Sequence, residues 1–161
     1  MTTNATAISR EKSQAYRAIF TGGLVAGALD ITAACVNGGL RGLSPLRILQ
    51  SVASGLLGAG AFDGGVPVAA LGLALHFFIA TTATAVFYTA SRKLPILIDR
   101  VFISGPAYGI AVYFFMSSIV VPLSAAPFKI PYTVNALATG LMIHIFCVGL
   151  PIALAVRRYS K

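Results

Sequence analysis

Charge is what this chain lacks. Of its 161 residues only 10% are Asp, Glu, Lys or Arg, and only four are acids: Glu11, Asp30, Asp63 and Asp99. A soluble domain carries about a quarter charged residues. With 57% hydrophobic residues and a mean hydropathy of +0.86, the shortage excludes a water-soluble globular domain and makes lipid the solvent for the apolar surface. Long stretches carry no charge at all, as expected where a charge at the bilayer centre costs about 2.5 kcal/mol or more.

The signatures of soluble-type catalysis are also missing. There is no GxSxG, HExxH, Walker loop or CxxC, and Gly22-Gly23 and Gly38-Gly39 suit helix packing or termination better than phosphate binding. Asp63 and Asp99 fall on opposite sides of the membrane in the topology below, so they form no carboxylate pair. These absences argue against an enzyme. Cys35 and Cys147 lie in different apolar runs at different depths, which excludes a disulfide. Thr32-Ala33-Ala34-Cys35 loosely resembles a lipoprotein cleavage box. However, Asp30 interrupts the would-be signal core and Thr32 stands where Leu is usual, so the first helix reads as uncleaved. No internal repeat is evident.

The charge that is present is basic, with a net value of +8. The cations form no stripe interleaved with aromatics, which excludes nucleic acid as a partner. They sit at the ends of apolar runs, where the positive-inside rule and attraction to anionic headgroups place them, making membrane lipids the expected partners.

The pattern predicts an all-α integral membrane four-helix bundle. Residues 1–17 read as a cytoplasmic polar tail, and the polar stretch 1–14 buries too little to order itself. Residues 18–161 read as one transmembrane helical domain with spans at 18–36, 67–90, 98–123 and 134–156. Asn37-Gly38-Gly39 ends the first span, Pro67 opens the second, Pro106 predicts a kink in the third, and Pro127, Lys129 and Pro131 mark a loop before the fourth. Pro151 predicts a bend in that last span. Between the first two, Ser44-Pro45 is a helix start with Ser as N-cap and Pro at the first position, and Ile48, Val52 and Leu56 recur at helical spacing. Its many small residues and two arginines make this helix, over 45–62, interfacial or re-entrant rather than spanning.

Orientation follows from the Lys and Arg count, 12 in all. Arg10, Lys12, Arg17, Arg92, Lys93, Arg100, Arg157, Arg158 and Lys161 fall on one side; Arg41, Arg47 and Lys129 fall on the other. The rule then puts both termini in the cytoplasm.

Four polar residues interrupt the spans. Counting inward from the outer boundary at about 1.5 Å per residue puts Asp30 roughly 10 Å deep, His76 roughly 14 Å, Tyr113 roughly 15 Å and His144 roughly 16 Å. Helical spacing centres each on small residues: Asp30 with Gly23 and Gly27, His76 with Gly72, Tyr113 with Gly109, and His144 with Gly140 and Cys147. Small residues mark close helix approach, so these glycines read as packing positions and the polar side chains face the bundle interior. An ionisable group at such depth is a functional candidate.

The preferred reading is a membrane-embedded binding or transport protein for a small solute or ion, with Asp30, His76, Tyr113 and His144 as binding or proton-relay site. A histidine beside a carboxylate changes charge near neutral pH, as a relay needs. Second comes a bis-His haem b protein in electron transfer, ligated by His76 and His144, since apolar four-helix bundles accommodate that cofactor. A metal site of His76, His144 and Asp30, with Cys147 as fourth ligand, is a third. The bland alternative is a structural subunit of a larger complex, its polar groups satisfying one another and fixing helix register. Four short helices enclose little volume, and their glycine-rich faces suggest a homo-oligomer, most simply a dimer.

The stretches from Ser44-Pro45-Leu46-Arg47 to Gly58, from Leu71-Gly72-Leu73 to Phe78, and from Ile143-His144-Ile145 to Pro151 resemble small bacterial inner-membrane proteins, broadly of the YagU-like kind. The likeness covers nearly the whole chain. It implies a helical bundle in the bacterial inner membrane, and no activity, cofactor or site residue.

Overall fold

The computed structural model describes residues 2–129 and 133–160, with side chains described from Glu11 onward. Pro131, used above as a loop marker, the C-terminal cation Lys161 and the Arg10 side chain lie outside the described residues. Among those described there are six helices and no strand: α1 (Thr2–Gly39), α2 (Pro45–Leu57), α3 (Gly65–Lys93), the short α4 (Ile96–Asp99), α5 (Val101–Leu123) and α6 (Val134–Ser160). Four of these, α1 over Glu11–Gly39, α3, α5 and α6, are long and apolar enough to cross a membrane. The chain is a multi-pass helical membrane protein.

Several boundaries differ from the sequence reading, for local reasons. No Gly or Pro stands between Thr2 and Thr21, so the polar segment continues as helix back to Thr2 instead of forming a separate unordered tail. At 29 residues α3 runs past both ends of its apolar stretch; its length of roughly 43 Å exceeds a hydrocarbon core of about 30 Å. The third span begins at Val101 rather than at 98, because Arg100 leaves helical geometry with φ −115 and ψ 52. The last helix reaches Ser160, placing Arg157 and Arg158 in its final turn, where cations complement the helix dipole.

Proline shapes the third and fourth spans. Each contains a π-helical turn, Met116–Val120 and His144–Gly149, and each turn ends two residues before a proline, Pro122 or Pro151. A proline ring offers no N–H and collides with the carbonyl four residues back, so the preceding turn widens. Around Pro106 the backbone stays α-helical from Val101 to Phe115.

The spans pack antiparallel through glycine. A Cβ on Gly23 would stand 2.7 Å from Cα of Thr81, and one on Gly27 would stand 2.8 Å from the Phe77 ring, which pins α1 to α3. On the other side of the bundle, a Cβ on Gly109 would strike the His144 carbonyl, one on Gly140 would strike the Tyr113 ring, and one on Gly149 would strike the backbone of Gly105 and Gly109, locking α5 to α6. In lipid, where helices gain little from hiding apolar surface from one another, this close backbone approach is the main source of cohesion. Gly22 touches both Thr84 of α3 and Ala155 of α6, so both ends of the chain lie at one end of the bundle. Near that terminal end Phe87, Val101, Val148, Ile152, Ala153 and Val156 form the buried core.

The helix between the first two spans starts where the sequence puts it, with Ser44 Oγ accepting from the Arg47 amide at 3.2 Å as its N-cap. The helix ends at Leu57 rather than 62, because Gly58 takes φ +65 and the chain continues to Asp63 as a 3-10 turn. It lies across the opposite end of the bundle. Its start touches α1, with Ile48 against Gly38, and its middle presses Leu49 onto Gly72 of α3. Its far end accepts the Ala125 amide at the Gly55 carbonyl, at 3.0 Å. Gln50, only 2% exposed, donates from Nε2 to the Gly65 carbonyl at 3.1 Å. Gly65 has φ +58, a backbone that favours glycine, and it lets the chain turn from the α2 segment into α3.

Candidate functional site

The four interior polar residues are arranged as two pairs. In the first, α1 and α3 bring Asp30 and His76 together: Asp30 Oδ2 lies 3.9 Å from His76 Nε2. That nitrogen makes a shorter contact of 2.9 Å to the Gly27 carbonyl. A carbonyl only accepts, so Nε2 carries the proton, and Asp30 approaches an N–H already engaged with the neighbouring helix. Gly27 thus serves twice, as the gap that admits α3 and as the acceptor for its histidine.

The second pair joins α5 and α6. Tyr113, 5% exposed, sets its ring edge-on to His144 with centroids 5.2 Å apart and packs against Gly140. His144 Nδ1 lies 2.9 Å from the carbonyl of Gly140, one turn earlier on its own helix, and therefore donates to it. This bond fixes the ring's direction at the first residue of the π-helical turn.

The arrangement bears on two of the sequence-based readings. Among the described residues no three His, Cys, Asp or Glu side chains converge where a metal could be held; Asp30, His76, His144 and Cys147 therefore do not form the four-ligand set that their depths suggest. For a bis-His haem the iron would take ring nitrogens of His76 and His144. On His76 the usual ligand atom, Nε2, is turned to the Gly27 carbonyl instead.

Beside these pairs the structure contains a feature that depth counting does not reveal. An open cavity of about 720 Å³ lies at the α2 end, between α1, α2, α5 and the start of α6. Its base is Tyr113 and Gly140, so it reaches the second polar pair; its walls carry Arg41, Arg47, Lys129 and Asn135. Sequence reasoning counted these three cations only for topology. The signal available there was their place on the side the positive-inside rule leaves poor in cations. A second space, of about 470 Å³, separates α3 from α5 and is apolar, lined by Phe78, Ile79, Val86, Val112 and Phe115. There Tyr108 spans the gap, donating its hydroxyl to the Ala83 carbonyl at 2.6 Å.

Fold and site together define a multi-pass α-helical membrane protein with polar groups inside the bundle and, at one end, an open cavity that reaches one of them, Tyr113. Comparison with family models, with curated proteins and with solved structures found no match.

Proposed function

We propose that this protein binds or transports a small solute or ion, which enters the bundle from the α2 end and meets the interior polar groups. The observation that supports this best is the cavity of about 720 Å³ ending on Tyr113 and Gly140, the residues that position the His144 ring. A cluster meant only to fix helix register needs no such opening. His144, against the Tyr113 ring at the cavity floor, and the Asp30–His76 pair on the neighbouring helices are the ionisable groups this reading assigns to solute binding or proton relay. Haem ligation is a weaker second reading, because His76 Nε2 is directed at Gly27. A colourless preparation from a haem-supplemented host would remove it.

The setting belongs to the same proposal: the bacterial inner membrane, with the terminal end and its basic residues in the cytoplasm and the α2 end outside. Reporter fusions at residue 161 and in the loop at 40–44 should report opposite sides. A homo-oligomer is part of it too. The packing glycines are used within one chain, so its interface falls to the outward apolar faces; monomer at every concentration in mild detergent would count against it.

Proteoliposomes loaded with a pH-reporting dye test the central claim. Challenged in turn with small carboxylates, amino acids, sugars and inorganic salts, they should show saturable, protein-dependent uptake or lumenal pH change for one class. Asp30→Asn and His144→Gln preserve hydrogen-bonding shape and remove ionisation, so both should fold normally and abolish the response. A response equal to wild type in both variants, or none from any solute class, sinks the reading.

A further inference from the structure

We infer that the cavity at the α2 end is a binding site for a phosphate-bearing anion. This deepens the reading above and rests on its cavity, but not on transport. Only three basic residues lie at that end of the bundle, and all three, Arg41, Arg47 and Lys129, line this one cavity. They come from separate parts of the chain: the turn after α1, the first turn of α2, and the segment before α6. Had they served only to meet headgroups around the rim, nothing would gather them.

No Asp or Glu lines the cavity. The one acid at this end, Asp63, follows Phe62 and forms no ion pair among the described residues, so the end keeps a net positive charge. Among the described residues the two ion pairs are His76 with Asp30 and Arg92 with Glu11, so none of the three cations is used in either. Two are nonetheless held in place. The Arg47 guanidinium carbon stacks 4.3 Å above the Phe62 ring, which orients its fork. Arg41 Nε donates to the Asn37 carbonyl at 3.4 Å. The amino end of α6, capped by Thr133, opens into the same space with Asn135 on its wall, adding the partial positive charge of a helix start and an amide donor.

All three cations are exposed, so solvent and salt screen their repulsion. What the cavity adds is their convergence on one concave space, where guanidinium forks match the paired oxygens of phosphate. A phosphate monoester, carrying up to two negative charges, balances three cations better than a single carboxylate. The monoester has two available sources, a soluble organic phosphate or the headgroup of an anionic lipid at the membrane surface.

The test uses the full chain and one probe for each source. Glycerol 3-phosphate is titrated calorimetrically against protein in uncharged detergent. Separately, thermal unfolding is followed in phosphatidylcholine nanodiscs with and without phosphatidic acid. Saturable binding of the first indicates a soluble ligand, and a raised midpoint only with the second indicates the lipid. In either arm Arg41→Gln, Arg47→Gln and Lys129→Gln should each weaken the effect roughly tenfold or more. Arg100→Gln, which removes the same charge from the terminal end, should leave it unchanged. Arg47→Lys, which keeps the charge but loses the planar fork, should fall between and guards against loss of fold in the glutamine variant. Neither probe binding, or Arg100→Gln weakening binding as much as the cavity variants, overturns the inference. Uptake of a neutral or cationic solute without phosphate binding would leave transport standing and remove the anion; phosphate binding without any flux would do the reverse.

Discussion

Where the termini meet, α3, α5 and α6 close on a packed core in which Phe87, Val101 and Val156 are 1%, 0% and 0% exposed. The open space of about 740 Å³ between α1 and α6 lies outside that core, beside Arg157 and Arg158. At the opposite end the same helices part around a cavity of about 720 Å³ with cationic walls, and a separate short helix lies across the opening. The difference is one of side-chain supply. Large apolar residues from three helices interlock at the terminal end, whereas at the α2 end Leu43, Ile48, Phe62 and Phe128 are interspersed with Asn, Ser, Thr and three cations around open space. Packing is therefore denser at one end, and the proposed binding surface lies at the other, less densely packed one.

The sharpest way to break this contrast is to remove one large side chain from each end. Phe87→Ala should cost about 3 kcal/mol, because it empties a filled site beside Val101 and Ile152. Phe128→Ala, at a cavity wall where the ring is already 40% exposed, should cost less than about 1 kcal/mol. Reversible unfolding in mixed detergent micelles would measure both, and equal losses would show that the α2 end also carries stability. A smaller effect should follow from Gln50→Leu. It leaves the Gly65 carbonyl without its donor and should cost about 1–2 kcal/mol, with amide exchange rising in α2 and little change around Phe87. Uniform loosening of the whole chain would contradict the division. The smallest effect belongs to Glu11→Gln, which breaks the 3.0 Å pair with Arg92 at the terminal end. Those side chains are 62% and 49% exposed, so the loss should stay below about 0.5 kcal/mol; a larger drop in the same titration would mean that charge, not packing, closes that end.

Much of the frame was legible in the sequence, since charge exclusion from lipid is a one-dimensional rule. The spans could be read from apolar length, and the start of α2 from Ser44-Pro45. The site was legible only in part. Depth counting places Asp30, His76, Tyr113 and His144 at one level but is silent on which helices adjoin. The pairing of α1 with α3 and α5 with α6 is decided by Gly23 against Thr81 and Gly149 against Gly105, contacts between distant residues. The cavity was hidden for the same reason. It exists because α2 is held on Gly72 and Gly65 and because the segment at Lys129 returns beside Arg41 and Arg47, neither of which a local pattern encodes.

The two widened turns have a consequence for angular phase. A turn closed over five residues instead of four accommodates about one extra residue, and one residue is about 100° of rotation. In α6 the His144–Gly149 turn thus resets the direction in which every later side chain points relative to Gly140, and in α5 the Met116–Val120 turn does the same for the residues beyond Tyr113. A single face traced at 3.6 residues per turn cannot be carried through either helix. Each behaves as two half-helices offset by about 100°, so that the segments before and after the widened turn present different stripes of sequence to the same neighbour.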